Sequence, residues 1–193
     1  MIKVCFACGR DLSLAPEGLS CPWCDEIGPD EREAAMPHNE QGHDYHMVEK
    51  MLEHLDLWLD NQVPGIIPWH LLAAQCRWES SFNPCAVSSA GAKGIAQFMP
   101  DTWREIGHGD PFDVAEAVKA QSKYMLWLAM LHAWTFKSTP FWWVLSYTWG
   151  FGAVKRVQVT DEVPRTLWNH ALSIMGTSEY YRRLLSYVPG VNR

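Results

Sequence analysis

The chain has 193 residues, of which 48% are hydrophobic, 20% charged and 12% aromatic. These proportions are typical of a folded domain with a sizeable core, and they exclude a disordered, collagen-like or coiled-coil chain. The formal net charge is −6, and residues 25–44 account for it with seven acidic residues and one arginine. Because the rest of the chain has no basic excess, it lacks the electrostatic term that drives nucleic-acid binding, and we expect no nucleic-acid partner.

Four of the six cysteines lie in the first 24 residues, as Cys5 with Cys8 and Cys21 with Cys24. Each Cys-x-x-Cys pair can direct two thiolates at one ion, and four thiolates complete the tetrahedral shell of structural zinc. The sequence therefore predicts one structural zinc ion in residues 1–27, a segment that resembles a zinc ribbon. Two alternatives are weighed: a pair of disulfides requires an oxidising compartment, and a thioredoxin-like motif requires a strand and helix pattern that the flanking sequence lacks.

The start of the chain lacks the apolar stretch and cleavage site of a secretory signal, so we expect synthesis and folding in a cytoplasm. Residues 28–42 are acidic, contain prolines and glycines, and show no apolar periodicity, which predicts a linker. The longest apolar run, residues 124–136, is shorter than the ~20 residues that cross a bilayer, so it predicts a buried helix and no transmembrane segment. Residues 43–193 then form the main domain.

Helical periodicity dominates that domain. The predicted helices cover residues 43–60, 68–80, 113–136, 140–149, 164–175 and 178–187. Asp113, Thr139 and Thr177 are predicted N-caps, and Gly176 is a predicted helix stop. No long segment alternates with period two, so any sheet is small and confined to residues 84–98. The predicted fold class is mainly α, with a small metal module at the N-terminus.

Two segments carry an extended motif. Residues 79–102 contain Glu-Ser-Ser-Phe-Asn-Pro, then Ala-Val-Ser, Gly-Ala-Lys-Gly and Gln-Phe-Met-Pro-Asp-Thr, and residues 146–154 read Ser-Tyr-Thr-Trp-Gly-Phe-Gly-Ala-Val. The first segment resembles the catalytic signature of the soluble lytic transglycosylases, and the second resembles their Ala-Tyr-Asn-x-Gly-Pro-Gly-x-Val. Thr148 and Phe151 replace the asparagine and the proline of that pattern. The resemblance spans about residues 45–190.

The residues themselves favour the same chemistry. Glu79 closes an apolar helix beside Trp78 and Phe82, and such surroundings disfavour a charged carboxylate, as a general acid requires. Gly91 and Gly94 predict tight turns that a flat substrate can approach closely. A lone glutamate would be explained equally well as a helix-end cap, so the register of the whole motif carries the hypothesis.

The resemblance implies a lysozyme-like fold, α+β with a minimal sheet, and an enzyme that acts on peptidoglycan glycan strands. It would cleave the β-1,4 bond between N-acetylmuramic acid and N-acetylglucosamine. Glu79 would protonate the leaving oxygen and then accept the proton of the muramoyl C6 hydroxyl, which leaves a 1,6-anhydromuramoyl end. Tyr147 would orient Glu79, while the sugar site would be lined by Ser88, Gln97, Met99 and Thr148.

Two other functions remain open. Goose-type lysozymes of the same fold hydrolyse the bond and usually carry an aspartate shortly after the glutamine, where this chain has Met99. Asp101, Asp110 and Asp113 lie nearby in the sequence, and each is equally explained as a cap or loop residue. The second alternative is a non-catalytic peptidoglycan-binding module, suggested by the substitutions at Thr148 and Phe151.

The remaining features are assigned less specific roles. The joined metal module, the small size and the missing export signal favour a monomeric bacteriophage lysis enzyme, or one delivered by a virion. Residues 159–176 resemble an insertion, in which Trp168 and His170 are expected to pack against the sugar groove. Cys76 and Cys85 are predicted to be ordinary thiols, buried and in a loop respectively. Three further histidines are predicted to lie at the surface: His38, His43 and His46.

Overall fold

The computed structural model describes residues 41–158 and 160–186, so the four N-terminal cysteines and His38 lie outside the described residues. Eight α-helices and a short 3-10 turn, Thr160–Glu162, make up the regular structure of this part of the chain. The helices are α1 (Gln41–Glu53), α2 (Leu55–Asn61), α3 (Trp69–Ser80), α4 (Pro100–Ile106), α5 (Val114–His132), α6 (Pro140–Trp149), α7 (Phe151–Arg156) and α8 (Arg165–Leu184).

Helix α3 forms the centre of the fold. Six consecutive residues, 71–76, are buried, since α8, α2, α1 and α5 all pack against this helix. Pro68 precedes its first turn, where a missing N–H costs no helical hydrogen bond. Helix α6 lies between α8 and α5 and carries a buried run of its own, residues 142–146. The apolar residues of α3 thus form the core that holds the last turn of this helix, where the first motif begins, in place.

Most of the predicted helices are present. Those at 68–80 and 140–149 correspond to α3 and α6, and the one at 43–60 is divided at His54 into α1 and α2. The helix predicted at 113–136 corresponds to α5, but it ends at His132, and Trp134 and Phe136 at the end of the apolar run are exposed rather than buried. Asp113 caps α5 as predicted, because its carboxylate accepts the Glu116 N–H at 3.0 Å. Thr139 precedes α6 as predicted, but its side chain makes no capping hydrogen bond. The short helices α4 and α7 were not predicted.

The end of the chain differs from the prediction. Residues 165–184 form one continuous helix, α8, so the predicted stop at Gly176 and cap at Thr177 are wrong. The helix continues because Ile174, Thr177 and Ser178 are buried, and packing overrides the weak local preference of a glycine. The supposed insertion at residues 159–176 is therefore largely the first half of this helix.

The described residues contain no β-sheet. The expected small sheet at residues 84–98 consists of two isolated bridges, Val87 with Lys93 and Lys93 with Phe98, and a third bridge joins Val63 to Ile67. The segment between α3 and α4 is therefore a hydrogen-bonded loop. We find no helix of sufficient length and apolarity to cross a membrane among residues 41–158 and 160–186.

Candidate active site

Glu79 lies in the last turn of α3, which ends in an unusual backbone conformation. Ser81 and Phe82 both have left-handed backbones, with φ of 54° and 59°. The Ser81 N–H donates to the Arg77 carbonyl at 2.9 Å, and the Phe82 ring is buried in the core. A non-glycine residue in this conformation costs about 1 kcal/mol, so the motif keeps a strained turn directly after the glutamate.

The Glu79 carboxyl is largely sequestered. Its side chain is 15% exposed, and Oε1 is buried without a hydrogen-bond partner in the described structure. Nε2 of His170, on α8, lies 3.7 Å from this oxygen and is itself buried and unpartnered within the same residues. Trp78 packs edge-to-face on the His170 ring, and its indole N–H donates to the Thr177 hydroxyl at 2.8 Å. Sequence reasoning placed His170 at the groove only as a packing residue and missed this juxtaposition.

Ser80, which follows Glu79 in the chain, attaches α3 to the loop that carries the first motif, residues 81–99 (the motif loop). Its hydroxyl donates to the Ile95 carbonyl at 2.7 Å and also lies 3.2 Å from the Cys76 carbonyl oxygen, so its one proton is directed mainly at the loop. Within the loop, the Ala92 N–H donates to the Ser88 hydroxyl at 3.0 Å. Residues 86–98 are thereby held against the end of the glutamate-bearing helix.

The two motif glycines allow that loop to fold, each in a different way. Both have a positive φ, 88° at Gly91 and 74° at Gly94. A Cβ at Gly94 would lie 2.0 Å from the Pro111 carbonyl oxygen, whereas one at Gly91 would meet no atom within 4 Å. The tight turns are as predicted, but the close approach at Gly94 is made by the protein's own backbone.

Gln97 and Met99 occupy the end of the loop. Gln97 has a left-handed φ of 51°, and its amide nitrogen donates to the carbonyls of Gly94 at 2.8 Å and Ala86 at 3.2 Å. Met99 immediately precedes α4 and is 44% exposed. The Gln97 side chain therefore shapes the loop, and the Met99 side chain reaches the surface.

Tyr147 on α6 meets the loop from the other side. Its hydroxyl donates to the Ala96 carbonyl at 2.9 Å. Burial and the neighbouring Glu79 carboxylate together raise the pKa of Tyr147 well above its usual value. Burial and the same carboxylate also raise the pKa of the Cys76 thiol. Glu79, Cys76 and Tyr147 thus share one electrostatic environment, while the tyrosine hydroxyl is bonded to the loop backbone.

An aromatic cluster surrounds Tyr147. Its members are Phe98, Trp103, Tyr124, Trp127, Tyr147 and Phe151. The Tyr147 ring centroid lies 5.5 Å from that of Phe98 and 5.2 Å from that of Tyr124. Tyr124 is stacked on Trp127, with an interplanar angle of 16°, and Trp127 is 46% exposed. The cluster therefore runs from the motif loop to an indole at the surface.

The residues that depart from the family pattern have local roles. The Thr148 hydroxyl donates to the Val144 carbonyl of its own helix at 3.3 Å, and the residue is exposed. Phe151 begins α7 and packs against Trp127 and His132. Trp168, expected to pack against the sugar groove, packs on Phe141 of α6, with ring centroids 4.5 Å apart.

The three aspartates that lie near the motif in the sequence, the candidates for a second carboxylate, all make local contacts. Asp101 is exposed and pairs with Arg104. The Asp110 carboxylate accepts the Phe112 N–H at 3.0 Å, and Asp113 caps α5. Within residues 41–158 and 160–186, no cluster of three or more His, Cys, Asp or Glu side chains could hold a metal ion. Cys76 is buried and Cys85 is exposed, as expected of ordinary thiols.

These features define a mainly helical domain with one sequestered carboxyl group at the end of its central helix, framed by a strained loop and an aromatic cluster. The Transglycosylase SLT domain family matches residues 56–165, more than half of the chain. The chain belongs to this family.

Individual relatives agree with that assignment. Over 64 residues, a third of this chain, it is 38% identical to membrane-bound lytic murein transglycosylase F of Haemophilus influenzae (strain PittGG). It is 34% identical over 70 residues to the protein of the same name from Mannheimia succiniciproducens. The matched segments cover only 13% and 14% of those two relatives.

The fold is also similar to a solved structure. The 70 kDa soluble lytic transglycosylase SLT70 from Escherichia coli aligns with a TM-score of 0.60, over 77% of this chain and 31% of that protein. The two sequences are 19% identical in this alignment, so the likeness concerns the fold.

Proposed function

We propose that the chain is a peptidoglycan lytic transglycosylase, with Glu79 as its catalytic acid and base. The observation that carries the proposal is the sequestered Glu79 carboxyl at the end of α3, inside the segment, residues 56–165, that matches the family. Burial of Oε1 removes water from one side of the carboxyl group, which suits a group that must alternate between protonated and charged forms.

The proton balance requires one carboxyl group. Protonated Glu79 donates its proton to the glycosidic oxygen while the bond from C1 to that oxygen breaks. The C6 hydroxyl of the muramoyl residue then attacks C1, and the Glu79 carboxylate accepts the hydroxyl proton. The products are a free 4-hydroxyl end and a 1,6-anhydromuramoyl end, no water is consumed, and Glu79 returns to its protonated form.

The local contacts of the aspartates support this outcome over hydrolysis. Glycoside hydrolysis pairs the acid with a second carboxylate that acts as base or nucleophile. Asp101, Asp110 and Asp113 are each engaged by an arginine or by backbone N–H groups of their own segment. The nucleophile is then the C6 hydroxyl of the muramoyl residue, and no second carboxylate is needed to attack C1 or to activate a water.

The sugar site extends over the loop and the neighbouring helices. Met99 and Thr148 are exposed, Ser88 is half-buried, and all three belong to segments around Glu79 and Tyr147. Both hydrogen bonds of the Gln97 side chain use Nε2, so Oε1 is the atom we assign to a substrate hydroxyl or acetamido N–H. Tyr147 acts by fixing the Ala96 carbonyl and with it the loop that faces Glu79.

The test is mass spectrometry of muropeptides released from purified peptidoglycan by the wild type, by Glu79→Gln and by Glu53→Gln. Glu53 is exposed at the end of α1 and serves as the matched control. We expect ends lighter by one water with the wild type and the control, and none with Glu79→Gln. Reducing ends would assign a lysozyme, and binding without release by the wild type would assign a peptidoglycan-binding module.

We also propose that the N-terminal cysteines hold one structural zinc ion. The donor set supports this proposal: Cys5, Cys8, Cys21 and Cys24 provide four thiolates in two Cys-x-x-Cys pairs, the closed shell of structural zinc sites. They lie outside the described residues. Metal analysis of protein purified without chelator should give one zinc per chain, and substitution of Cys5 and Cys8 by serine should abolish it.

We further propose that the protein is a bacteriophage enzyme that acts either in host-cell lysis or from the virion, and that it is a monomer. The combination of a metal module with a cell-wall-cleaving domain supports the bacteriophage role. Detection of the protein in purified particles would favour delivery, and detection only in infected cells would favour lysis. Light scattering at several protein concentrations tests the monomer.

A further inference from the structure

The strongest unexplained feature of the structure is a pair of buried polar atoms that face each other. Glu79 Oε1 and His170 Nε2 lie 3.7 Å apart, slightly beyond hydrogen-bond length, and each lacks a hydrogen-bond partner among the described residues. An unsatisfied buried polar atom is costly, and native structures keep few of them. Two such atoms opposite each other indicate a contact that closes when the charge on one of them changes.

We infer that His170 is a positioning residue for Glu79: its Nε2–H donates to Oε1 whenever the carboxyl group is ionised. The inference rests on the proposed function and deepens it, because ionised Glu79 is the state between the two proton transfers. A movement of less than 1 Å brings the two atoms to the usual length of a charge-assisted hydrogen bond, roughly 2.8 Å. Hydrogen bonds of catalytic groups are often long without substrate and tighten in the complex.

This assignment gives the two carboxyl oxygens separate tasks. Oε1 faces His170 and is buried, so Oε2 is the oxygen that exchanges protons with the substrate. When Oε2 donates its proton to the leaving oxygen, the new negative charge is shared with Oε1 and stabilised by the N–H of His170. When Oε2 accepts the C6 hydroxyl proton, that interaction relaxes. His170 keeps its own proton throughout, so the proton balance of the reaction is unchanged.

The surroundings of His170 fix its ring for this task. The ring packs edge-to-face against Trp78, one residue before Glu79, with centroids 6.2 Å apart. The Trp78 indole is in turn tied to Thr177, two turns further along α8. The histidine and the glutamate are therefore connected by packing as well as by the facing polar atoms. A side chain placed only for packing would not need a nitrogen opposite a buried carboxylate oxygen.

The test compares His170→Gln, which keeps an N–H donor, with His170→Phe, which keeps a ring and removes the donor. Initial rates of anhydromuropeptide release are measured over a range of peptidoglycan concentrations. We expect His170→Phe to lower kcat by about 10- to 100-fold with little change in KM, the usual size of a hydrogen bond to a charged group. His170→Gln should recover much of that loss, which a purely structural role of the ring would not produce.

The matched control is His70→Phe. In the wild type, Nδ1 of His70 lies 2.7 Å from the Ser178 hydroxyl, so His70 connects α3 to α8, as His170 does, without facing Glu79. We expect it to lower the thermal midpoint and to leave kcat near the wild-type value at a temperature where it is folded. Equal activity of His170→Phe and the wild type would overturn the inference and leave the proposed function intact. Absence of anhydromuropeptides with the wild type would instead overturn the proposed function.

Discussion

The hydroxyl of Tyr147 donates to the carbonyl oxygen of Ala96 at 2.9 Å, across the gap between α6 and the motif loop. Ala96 is fully buried, so this hydrogen bond satisfies a carbonyl that water does not reach. The tyrosine of the second motif therefore holds the backbone of the first motif in place. The two sequence segments form one structural unit, and its integrity can be measured.

Replacing Tyr147 with phenylalanine removes this hydrogen bond and keeps the ring in the aromatic cluster. We expect the free energy of unfolding to fall by about 1–2 kcal/mol, because the Ala96 carbonyl is left unsatisfied. We also expect at least a tenfold lower rate of anhydromuropeptide release, since the loop opposite Glu79 loses its anchor. Denaturant unfolding and muropeptide analysis measure the two effects. Unchanged stability and rate would show that the hydrogen bond has no role in the site.

Alanine substitution at the two motif glycines separates backbone strain from steric contact. Both positions have positive φ, which costs an alanine about 1 kcal/mol. Only Gly94→Ala also places a Cβ 2.0 Å from the Pro111 carbonyl oxygen. We expect losses of unfolding free energy of about 1 kcal/mol for Gly91→Ala and about 3 kcal/mol for Gly94→Ala. Urea unfolding of both variants provides the comparison, and equal losses would contradict the steric explanation.

Acid should weaken the pairing of α3 with α8 through His70. Burial, and secondarily the Arg182 cation, lowers the pKa of His70 from 6.5 to about 4, although Glu179 opposes the shift. Between these two pH values the unfolded chain binds a proton on His70 that the folded chain does not bind, so a falling pH favours unfolding. The free energy of unfolding therefore rises with pH from about 4 to 6.5, and the contribution of His70 to stability is lost as the pH falls through this range.

His70→Gln removes this titration and keeps a polar partner for Ser178. We expect the slope of stability against pH between 5 and 6.5 to decrease by up to about 1.4 kcal/mol per pH unit. Part of the slope should persist, because burial and Lys137 also lower the pKa of His132. Glu179, whose hydrogen bonds from Arg182 help lower its pKa to about 2, acts only in more acidic solution. Thermal midpoints across this pH range test the prediction, which an unaltered slope would refute.

Lys137 caps the C-terminal end of α7, although α6 separates it from that helix in the sequence. Its ammonium group donates to the carbonyl oxygens of Val154 and Val157 at 2.6 Å each, and to that of Lys155 at 3.1 Å, at the C-terminal end of α7. A cation is favourable at this end of a helix, where the last carbonyls lack the usual helical N–H donors, although that of Val154 also accepts the Val157 N–H at 3.2 Å.

We expect Lys137→Met to lower the free energy of unfolding by about 3 kcal/mol, because buried carbonyls lose a charged donor. Lys123→Met, at an exposed position of α5, is the matched control and should change it by less than about 0.5 kcal/mol. Denaturant titrations of both variants measure the difference. A similar small effect at both positions would mean that Lys137 is not a cap.

The sequence predicted those parts of the fold whose local signals agree with their tertiary packing. Helix α3 has an apolar surface, Pro68 before its first turn and Glu79 near its end, and each feature indicates the same boundaries. Asp113 likewise indicates the start of α5. The Glu79 position and its loop followed from the motif, because residues adjacent in the chain remain adjacent in a hydrogen-bonded turn.

The relationship between Glu79 and His170 could not be predicted in this way. It depends on a contact over 91 residues of sequence and on the continuity of α8. Gly176 and Thr177 suggested a break because local propensity favours one there, whereas burial of Ile174 and Ser178 against neighbouring helices keeps the backbone helical. With the helix divided, the position of His170 relative to α3 was undetermined.

Because α8 is continuous, helix geometry fixes both the distance and the rotation between residues 170 and 178. An α-helix advances about 1.5 Å and turns about 100° with each residue. One residue inserted after His170 would turn it away from Glu79 if Thr177 and Ser178 kept their contacts with Trp78 and His70. Natural variation in this family branch should therefore place insertions before α8 or beyond it, and preserve the eight-residue interval that sets the rotational phase of the two contacts.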